Sequence, residues 1–186
     1  MPAPLEYRIV VAKQARQLGL WSGSGLERTY AIVLGRNSAA DKSVEGDQAT
    51  PLGEFYICAK NPRSKYFLSL CISYPNAEDA ERGLAAGLIG ADEHGQILDA
   101  IRARRMPPQR TGLGGEIYIH GHGSHSAGLG SHGGDHGDPT AAPDGRGAPN
   151  DFLRKDWTRG CIALSNVDMQ DLYDRVAIGT AVTITV

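Results

Sequence analysis

A cysteine and a histidine stand in sequence contexts that suit nucleophilic catalysis. Cys161 lies directly after Gly160 and before an apolar run, and His120 ends an alternating, strand-like segment that begins at Glu116. A thiol nucleophile needs a base, which can lie anywhere in the sequence if the fold brings it close. We therefore predict that Cys161 and His120 form a nucleophile–base pair. The alternatives are a buried structural cysteine at a turn and a strand-end histidine that binds a backbone group.

The residues next to this pair could assist the same chemistry. Arg159 adds positive charge two residues before the thiol, which favours the thiolate. Gly160 lets the backbone approach a substrate, so that amide groups near Gly160 and Cys161 could hold an oxyanion. The carbonyl of Gly121 could accept a hydrogen bond from the second ring nitrogen of His120 and so set its tautomer.

A cluster of possible ligands begins at His122, which follows His120 closely and is expected to line the same site. Further histidines and carboxylates come after it: His125, His132, Asp135, His136 and Asp138. Such side chains can bind Zn²⁺ or Ni²⁺. A glycine-rich segment, however, loses much conformational entropy when it holds a fixed ligand geometry. We therefore expect no metal and no cofactor, and a flexible Gly/His-rich insertion at about 122–150.

Composition limits the class of protein. The 186 residues suit one domain, 1–186, with 41% hydrophobic and 22% charged residues. The net charge of -2 gives no basic footprint for nucleic acid, and no apolar run is long enough for a transmembrane helix. The N-terminus lacks a signal peptide, so we expect either that an export signal has been removed or that the protein is delivered by a secretion system.

The three cysteines cannot all pair within one chain. Cys58 and Cys71 lie in apolar, strand-like segments, where a cysteine most often serves as a small buried side chain. A disulfide between Cys58 and Cys71 is the alternative, and their spacing in the sequence does not distinguish the two.

Apolar periodicity predicts mainly strands, with two or three helices. The predicted strands cover residues 7–13, 17–22, 28–34, 54–60, 66–73, 116–120 and 181–186. One helix should begin after Asn76 with Ala80, Leu84 and Leu88 on one face, and a second should cover about 92–105. A capping box of Ser165 and Asp168 begins the last helix, with Met169, Leu172, Tyr173 and Val176 facing the core. The class is therefore α+β with a mostly antiparallel, sandwich-like sheet.

Two phrases carry a family resemblance: Ile119-His120-Gly121 and Thr158-Arg159-Gly160-Cys161. They resemble the motif of the L,D-transpeptidase catalytic domain (YkuD type) of bacterial cell-wall enzymes. Other phrases similar to this family are Gly46-Asp47, Thr50-Pro51-Leu52-Gly53, Ser64-Lys65-Tyr66, Tyr74-Pro75-Asn76 and Leu113-Gly114-Gly115. The likeness covers nearly the whole chain and implies the α+β fold of that family.

The sequence departs from the family pattern at two points. Arg159 stands where the family usually has a histidine, and the phrase that begins at Trp157 resembles a Gram-negative subgroup in which this position varies. The segment between His120 and Cys161 is also longer than usual, because it contains the Gly/His-rich insertion. Both departures bear on the choice of substrate more than on the chemistry.

The resemblance implies a cysteine acyltransferase in the periplasm or cell envelope. Cys161 would be the nucleophile, His120 its base and Gly121 the residue that orients the base, with Thr158, Arg159, Gly160 and His122 near the substrate. The implied substrate is a peptidoglycan tetrapeptide stem, cleaved between diaminopimelate and D-Ala and joined to an amine in a 3-3 crosslink. The alternatives are an L,D-carboxypeptidase or amidase, including a secreted antibacterial effector, and a metal-binding or wall-binding module without catalysis.

Overall fold

The computed structural model describes residues 6–23, 25–123 and 155–186. The strands within these ranges are β1 (Tyr7–Ala12), β2 (Gln17–Ser22), β3 (Gly25–Ala31), β4 (Gly53–Ser64), β5 (Phe67–Ile72), β6 (Tyr118–His120), β7 (Ile162–Ala163) and β8 (Ala181–Thr185). The helices are α1 (Ala77–Ala85), α2 (Ala91–Arg102) and α3 (Asn166–Arg175). The expected α+β class is thus confirmed.

The described strands form a sheet in the order β3-β2-β1-β8-β4-β5-β6-β7. Neighbouring strands are antiparallel except for two parallel pairs, β1 with β8 and β6 with β7. The sequence predicted β1, β2 and β8 because each alternates apolar and polar residues, a pattern that gives a strand one buried face. It missed β7, whose two residues are too few to show a period.

The two edges of this sheet meet. Val33, just beyond β3, exchanges backbone hydrogen bonds of 3.0 and 2.9 Å with Ala163 of β7. Gly35 forms a further bridge with Thr158. The sheet therefore curls around a core, whose largest fully buried side chains include Tyr74, Ile9, Leu18, Leu20, Ile57, Leu70, Ile72 and Ile119.

Helix α1 begins as predicted but ends earlier. Asn76 caps it through a reciprocal capping box with Asp79, with both hydrogen bonds at 2.9 Å. Leu84 and Leu88, which the sequence pattern puts on one face with Ala80, are 36% and 38% exposed, whereas Ala80 is buried. The buried face instead contains Asp79, Ala80 and Gly83, and a Cβ on Gly83 would lie 2.6 Å from Leu113. This close approach selects glycine over a larger side chain.

Helix α3 follows the predicted pattern. Ser165 caps it by accepting a hydrogen bond from the Asp168 N–H at 3.0 Å. Met169, Leu172 and Val176 are buried in the core that the curled sheet encloses, which confirms the predicted apolar face. Helix α3 begins three residues after β7 ends, so its first turn lies next to the segment that carries Cys161. Among the described residues, no helix has the length and apolar character needed to cross a membrane.

Candidate active site

Strands β6 and β7 bring His120 and Cys161 together. His120 is the last residue of β6 and pairs with Ala163 of β7, while Ile119 pairs with Ile162. Cys161 directly precedes Ile162 and so lies beside Tyr118, one register step from Ile119 and two from His120. Because parallel neighbouring strands are only about 4.8 Å apart, the two predicted reactive residues occupy one small region of the sheet.

The orientation of the His120 ring is fixed on several sides. Its Nδ1 lies 2.6 Å from the carbonyl oxygen of Gly121, and since a carbonyl only accepts, Nδ1 carries the proton in the neutral ring. The ring stacks on Tyr66 with centroids 4.6 Å apart, and it makes an edge contact with Trp157 with centroids 6.0 Å apart. Nε2 is therefore left as the basic nitrogen of the neutral ring.

Burial determines the charge of this histidine. The side chain is 3% exposed, and loss of solvent lowers the pKa of His120 to about 4, against a smaller opposing effect of the Gly121 hydrogen bond. The Lys65 ammonium lowers the pKa further. His120 is consequently neutral at neutral pH and can accept a proton.

The Cys161 thiol is neutral for the same reason. Loss of solvent raises the pKa of Cys161 to about 11, although a hydrogen bond from the Tyr118 backbone opposes this rise. Sγ lies 3.5 Å from the carbonyl oxygen of Glu116, to which the thiol donates. No hydrogen bond joins this thiol to the His120 ring among the residues that the structure describes, so the resting pair is an uncharged thiol and an uncharged imidazole.

The segment before Cys161 is held by its own side chains. Thr158 Oγ1 donates to the Cys161 carbonyl at 2.6 Å and accepts from the Gly160 N–H at 3.2 Å. Gly160 has φ +125°, and a Cβ there would lie 2.7 Å from the Ala49 carbonyl oxygen, so this position requires glycine. The Gly160 N–H, a suggested oxyanion donor, thus already donates to Thr158 Oγ1 in this structure. Thr158 is buried and shapes the segment.

Within the described residues, the Cys161 N–H has no acceptor. This N–H is therefore a donor near the thiol that could form a hydrogen bond with an oxyanion. Arg159 is exposed two residues before Cys161. His122 is also exposed, and its N–H donates to Asn166 Oδ1 at 3.1 Å.

Sequence reasoning gave no role to three residues that surround His120. Tyr66 and Trp157 bracket its ring. Asn166, the first residue of α3, accepts hydrogen bonds from the N–H groups of His122 and Gly123 and so holds the chain after Gly121. The stacking partners left no periodic signal, because Tyr66 just precedes β5 and Trp157 lies before Cys161, and only the sheet brings these two segments together.

The structure describes only part of the predicted metal-binding cluster. His125, His132, Asp135, His136 and Asp138 lie outside the described residues, as does most of the predicted insertion at about 122–150. In the parts of the chain that the structure covers, no three His, Cys, Asp or Glu side chains come together as a possible metal site.

The fold of this chain is similar to that of several solved structures. The crystal structure of the helical cell shape determining protein Pgp2 from Campylobacter jejuni matches with a TM-score of 0.57 and 20% identity, covering 97% of this chain and 48% of that chain. Bd1075 from Bdellovibrio bacteriovorus matches with a TM-score of 0.52 and 18% identity over 100% of this chain and 49% of that chain. An L,D-transpeptidase from Mycobacterium tuberculosis H37Rv matches with a TM-score of 0.51, 12% identity and coverage of 98% and 58%.

These likenesses concern the fold, and the chain spans about half the length of the first two structures. No curated protein sequence matches the chain. The family model of the L,D-transpeptidase catalytic domain (YkuD) matches residues 6–138 and 136–184, which together cover most of the chain. The chain therefore belongs to the YkuD family of L,D-transpeptidase catalytic domains.

Proposed function

We propose that this chain is a cysteine-dependent acyltransferase that acts on peptidoglycan tetrapeptide stems. The observation that carries the proposal is the position of Cys161 beside the strand that ends in His120, with Nδ1 of that ring tied to Gly121. This leaves Nε2 as a base close to the nucleophile. Family membership supports the substrate class, and a peptidoglycan substrate would be consistent with action in the periplasm or cell envelope.

The neutral pair favours proton transfer during attack over a preformed thiolate. Nε2 of His120 takes the thiol proton as Cys161 Sγ bonds to the carbonyl carbon between diaminopimelate and D-Ala. The resulting oxyanion is held by the Cys161 N–H. When the C–N bond breaks, His120 returns the proton to the nitrogen of D-Ala, which leaves, and a thioester remains on Cys161. An amine of a second stem then displaces the sulfur and forms a 3-3 crosslink.

The proposal is tested by following D-Ala release from a disaccharide-tetrapeptide. The wild type and Cys58→Ala should release D-Ala at similar rates, since Cys58 lies outside the site. Cys161→Ala should release none above background. Equal release by wild type and Cys161→Ala would refute the nucleophile assignment.

The fate of the thioester is read from the same reaction by mass spectrometry. A crosslinked dimer supports transfer to an amine, which is the function proposed. Tripeptide without dimer would show transfer to water, and the chain would then be an L,D-carboxypeptidase.

The phrase around Cys161, which begins at Trp157, also supports a proposed place in the Gram-negative subgroup of the family.

A further inference from the structure

Two thiols outside the site meet across the β4–β5 pair. Ile57 pairs with Ile72 and Ala59 pairs with Cys71, so Cys58 is the extra residue of a β-bulge. Cys58 Sγ lies 3.4 Å from the carbonyl oxygen of Cys71. The Cys71 thiol donates to the Ile72 carbonyl oxygen at 3.6 Å, and its nearness to Cys58 lowers the pKa of the Cys58 thiol. Both cysteines are free.

The two thiols differ in access and in acidity. Cys58 is half-buried, whereas Cys71 is 1% exposed. A soluble oxidant therefore reaches Cys58 first. The neighbouring Cys71 side chain lowers the pKa of Cys58 and so favours its thiolate, which is the form that attacks a disulfide.

Distance separates this pair from the proposed nucleophile. Cys71 pairs with Tyr118 of β6, and Cys161 lies on the far side of Tyr118. Two strand spacings of about 4.8 Å put the Cα atoms of Cys71 and Cys161 roughly 10 Å apart. A disulfide cannot join residues whose Cα atoms are more than about 7 Å apart without backbone movement. Cys58 and Cys71 lie on adjacent strands and meet this limit.

We propose that Cys58 and Cys71 are an oxidisable dithiol, which glutathione disulfide converts to a disulfide between β4 and β5. The Cys58 thiolate attacks one sulfur of glutathione disulfide, whose S–S bond breaks and releases one glutathione thiolate. The Cys71 thiol attacks the Cys58 sulfur of the mixed disulfide, whose bond to glutathione breaks, and its proton passes to the departing glutathione sulfur. The protein loses two hydrogen atoms, and glutathione disulfide is reduced to two glutathione molecules.

The test is to incubate the reduced, folded full chain with glutathione disulfide and then block free thiols with a maleimide before digestion. Trypsin places Cys58 in peptide 43–60, Cys71 in peptide 66–82 and Cys161 in peptide 160–175. The wild type should change from three reactive thiols to one, with peptides 43–60 and 66–82 linked. Cys161→Ala should form the same link, because the pair does not use that thiol.

Cys58→Ala is the matched control, since a half-buried alanine leaves the fold intact, which circular dichroism verifies. It should keep Cys71 and Cys161 free. Three free thiols in the oxidised wild type would overturn the proposal, as would glutathione retained on Cys58 or a link between Cys71 and Cys161. None of these outcomes depends on D-Ala release, so the dithiol and the proposed catalytic function are tested separately.

Discussion

His120 owes its charge state to packing, since no carboxylate partner contributes to its pKa shift. Tyr66 on one face, Trp157 at an edge and the Gly121 carbonyl at Nδ1 exclude water and fix the tautomer. A buried imidazole loses hydration when it is protonated, so the neutral form predominates. In the proposed mechanism this neutral ring would accept the thiol proton rather than hold a thiolate by charge.

The first prediction concerns the titration of this ring. Because burial lowers the pKa of His120 to about 4 from the usual 6.5, the unfolded chain binds more protons than the folded chain between these values. The stabilisation from neutral burial is therefore present above pH 6.5 and is lost as the pH falls towards about 4. NMR titration of the His120 ring should show its inflection near pH 4 in the folded chain. An inflection at the value of the urea-unfolded chain would contradict the burial argument.

The second prediction concerns Gly160, whose φ of +125° and contact with Ala49 both exclude a side chain. Gly160→Ala should lower the free energy of unfolding by more than about 2 kcal/mol. The cost of a positive φ for alanine and the cost of the clash with the Ala49 backbone both contribute to this loss. Gly46→Ala is the control, because Gly46 also has a positive φ, +81°, but nothing within 4 Å of an added Cβ. Urea unfolding of both variants measures the difference. Equal losses would mean that the Ala49 contact adds nothing.

At the scale of the elements, α3 positions the chain that follows β6. Its cap, Ser165, fixes where the helix begins, and Asn166 then turns its side-chain oxygen towards the N–H groups of His122 and Gly123. A Cβ on Gly121 would lie 2.5 Å from that oxygen. The first turn of α3 thus packs closely on the residue whose carbonyl holds His120.

The third prediction follows from this contact. Asn166→Ala should slow D-Ala release by about tenfold to a hundredfold, because the Gly121 carbonyl loses its support and small displacements of a catalytic group cost rate steeply. Asn166→Asp keeps the acceptor oxygen and should restore most of the rate. Steady-state kinetics should show the loss in kcat rather than in KM. A loss in the aspartate variant as large as in the alanine variant would argue against the acceptor role.

At the scale of the whole molecule, Asp156 joins three distant parts of the chain. It accepts hydrogen bonds from Arg16 in the β1–β2 turn at 3.1 and 2.5 Å and from the Leu34 N–H at 2.9 Å. Its carboxylate is 12% exposed. These contacts lie where the two edges of the sheet meet, so they fix the closure of the curled sheet and the start of the segment that carries Cys161.

The fourth prediction tests this closure. Asp156→Ala should lower the free energy of unfolding by about 2 to 4 kcal/mol, because hydrogen bonds to a partly buried charge are among the stronger ones and their loss leaves Leu34 N–H unpaired. Asp99→Ala removes an ion pair with Arg102 whose side chains are 68% and 74% exposed, and it should cost less than about 1 kcal/mol. Chemical denaturation compares the two. Similar losses in both variants would mean that Asp156 acts as an ordinary surface charge.

The sequence alone predicted those features that depend on local pattern. Alternation predicted β1, β2 and β8, and the cap residues Asn76 and Ser165 predicted where α1 and α3 begin. The Ile-His-Gly and Thr-x-Gly-Cys phrases singled out His120 and Cys161. These signals are readable because period and capping act within a few residues.

Only the tertiary structure determined the features that depend on long-range contacts. The parallel pairing of β6 with β7, the stack of Tyr66 on His120 and the link from Asp156 to Arg16 join residues far apart in the chain. The uncharged state of the Cys161–His120 pair likewise arises from solvent exclusion by several elements together. Long-range packing also explains why Leu84 and Leu88 are exposed and why Cys58 contacts Cys71. Sequence spacing does not determine which residues a side chain packs against.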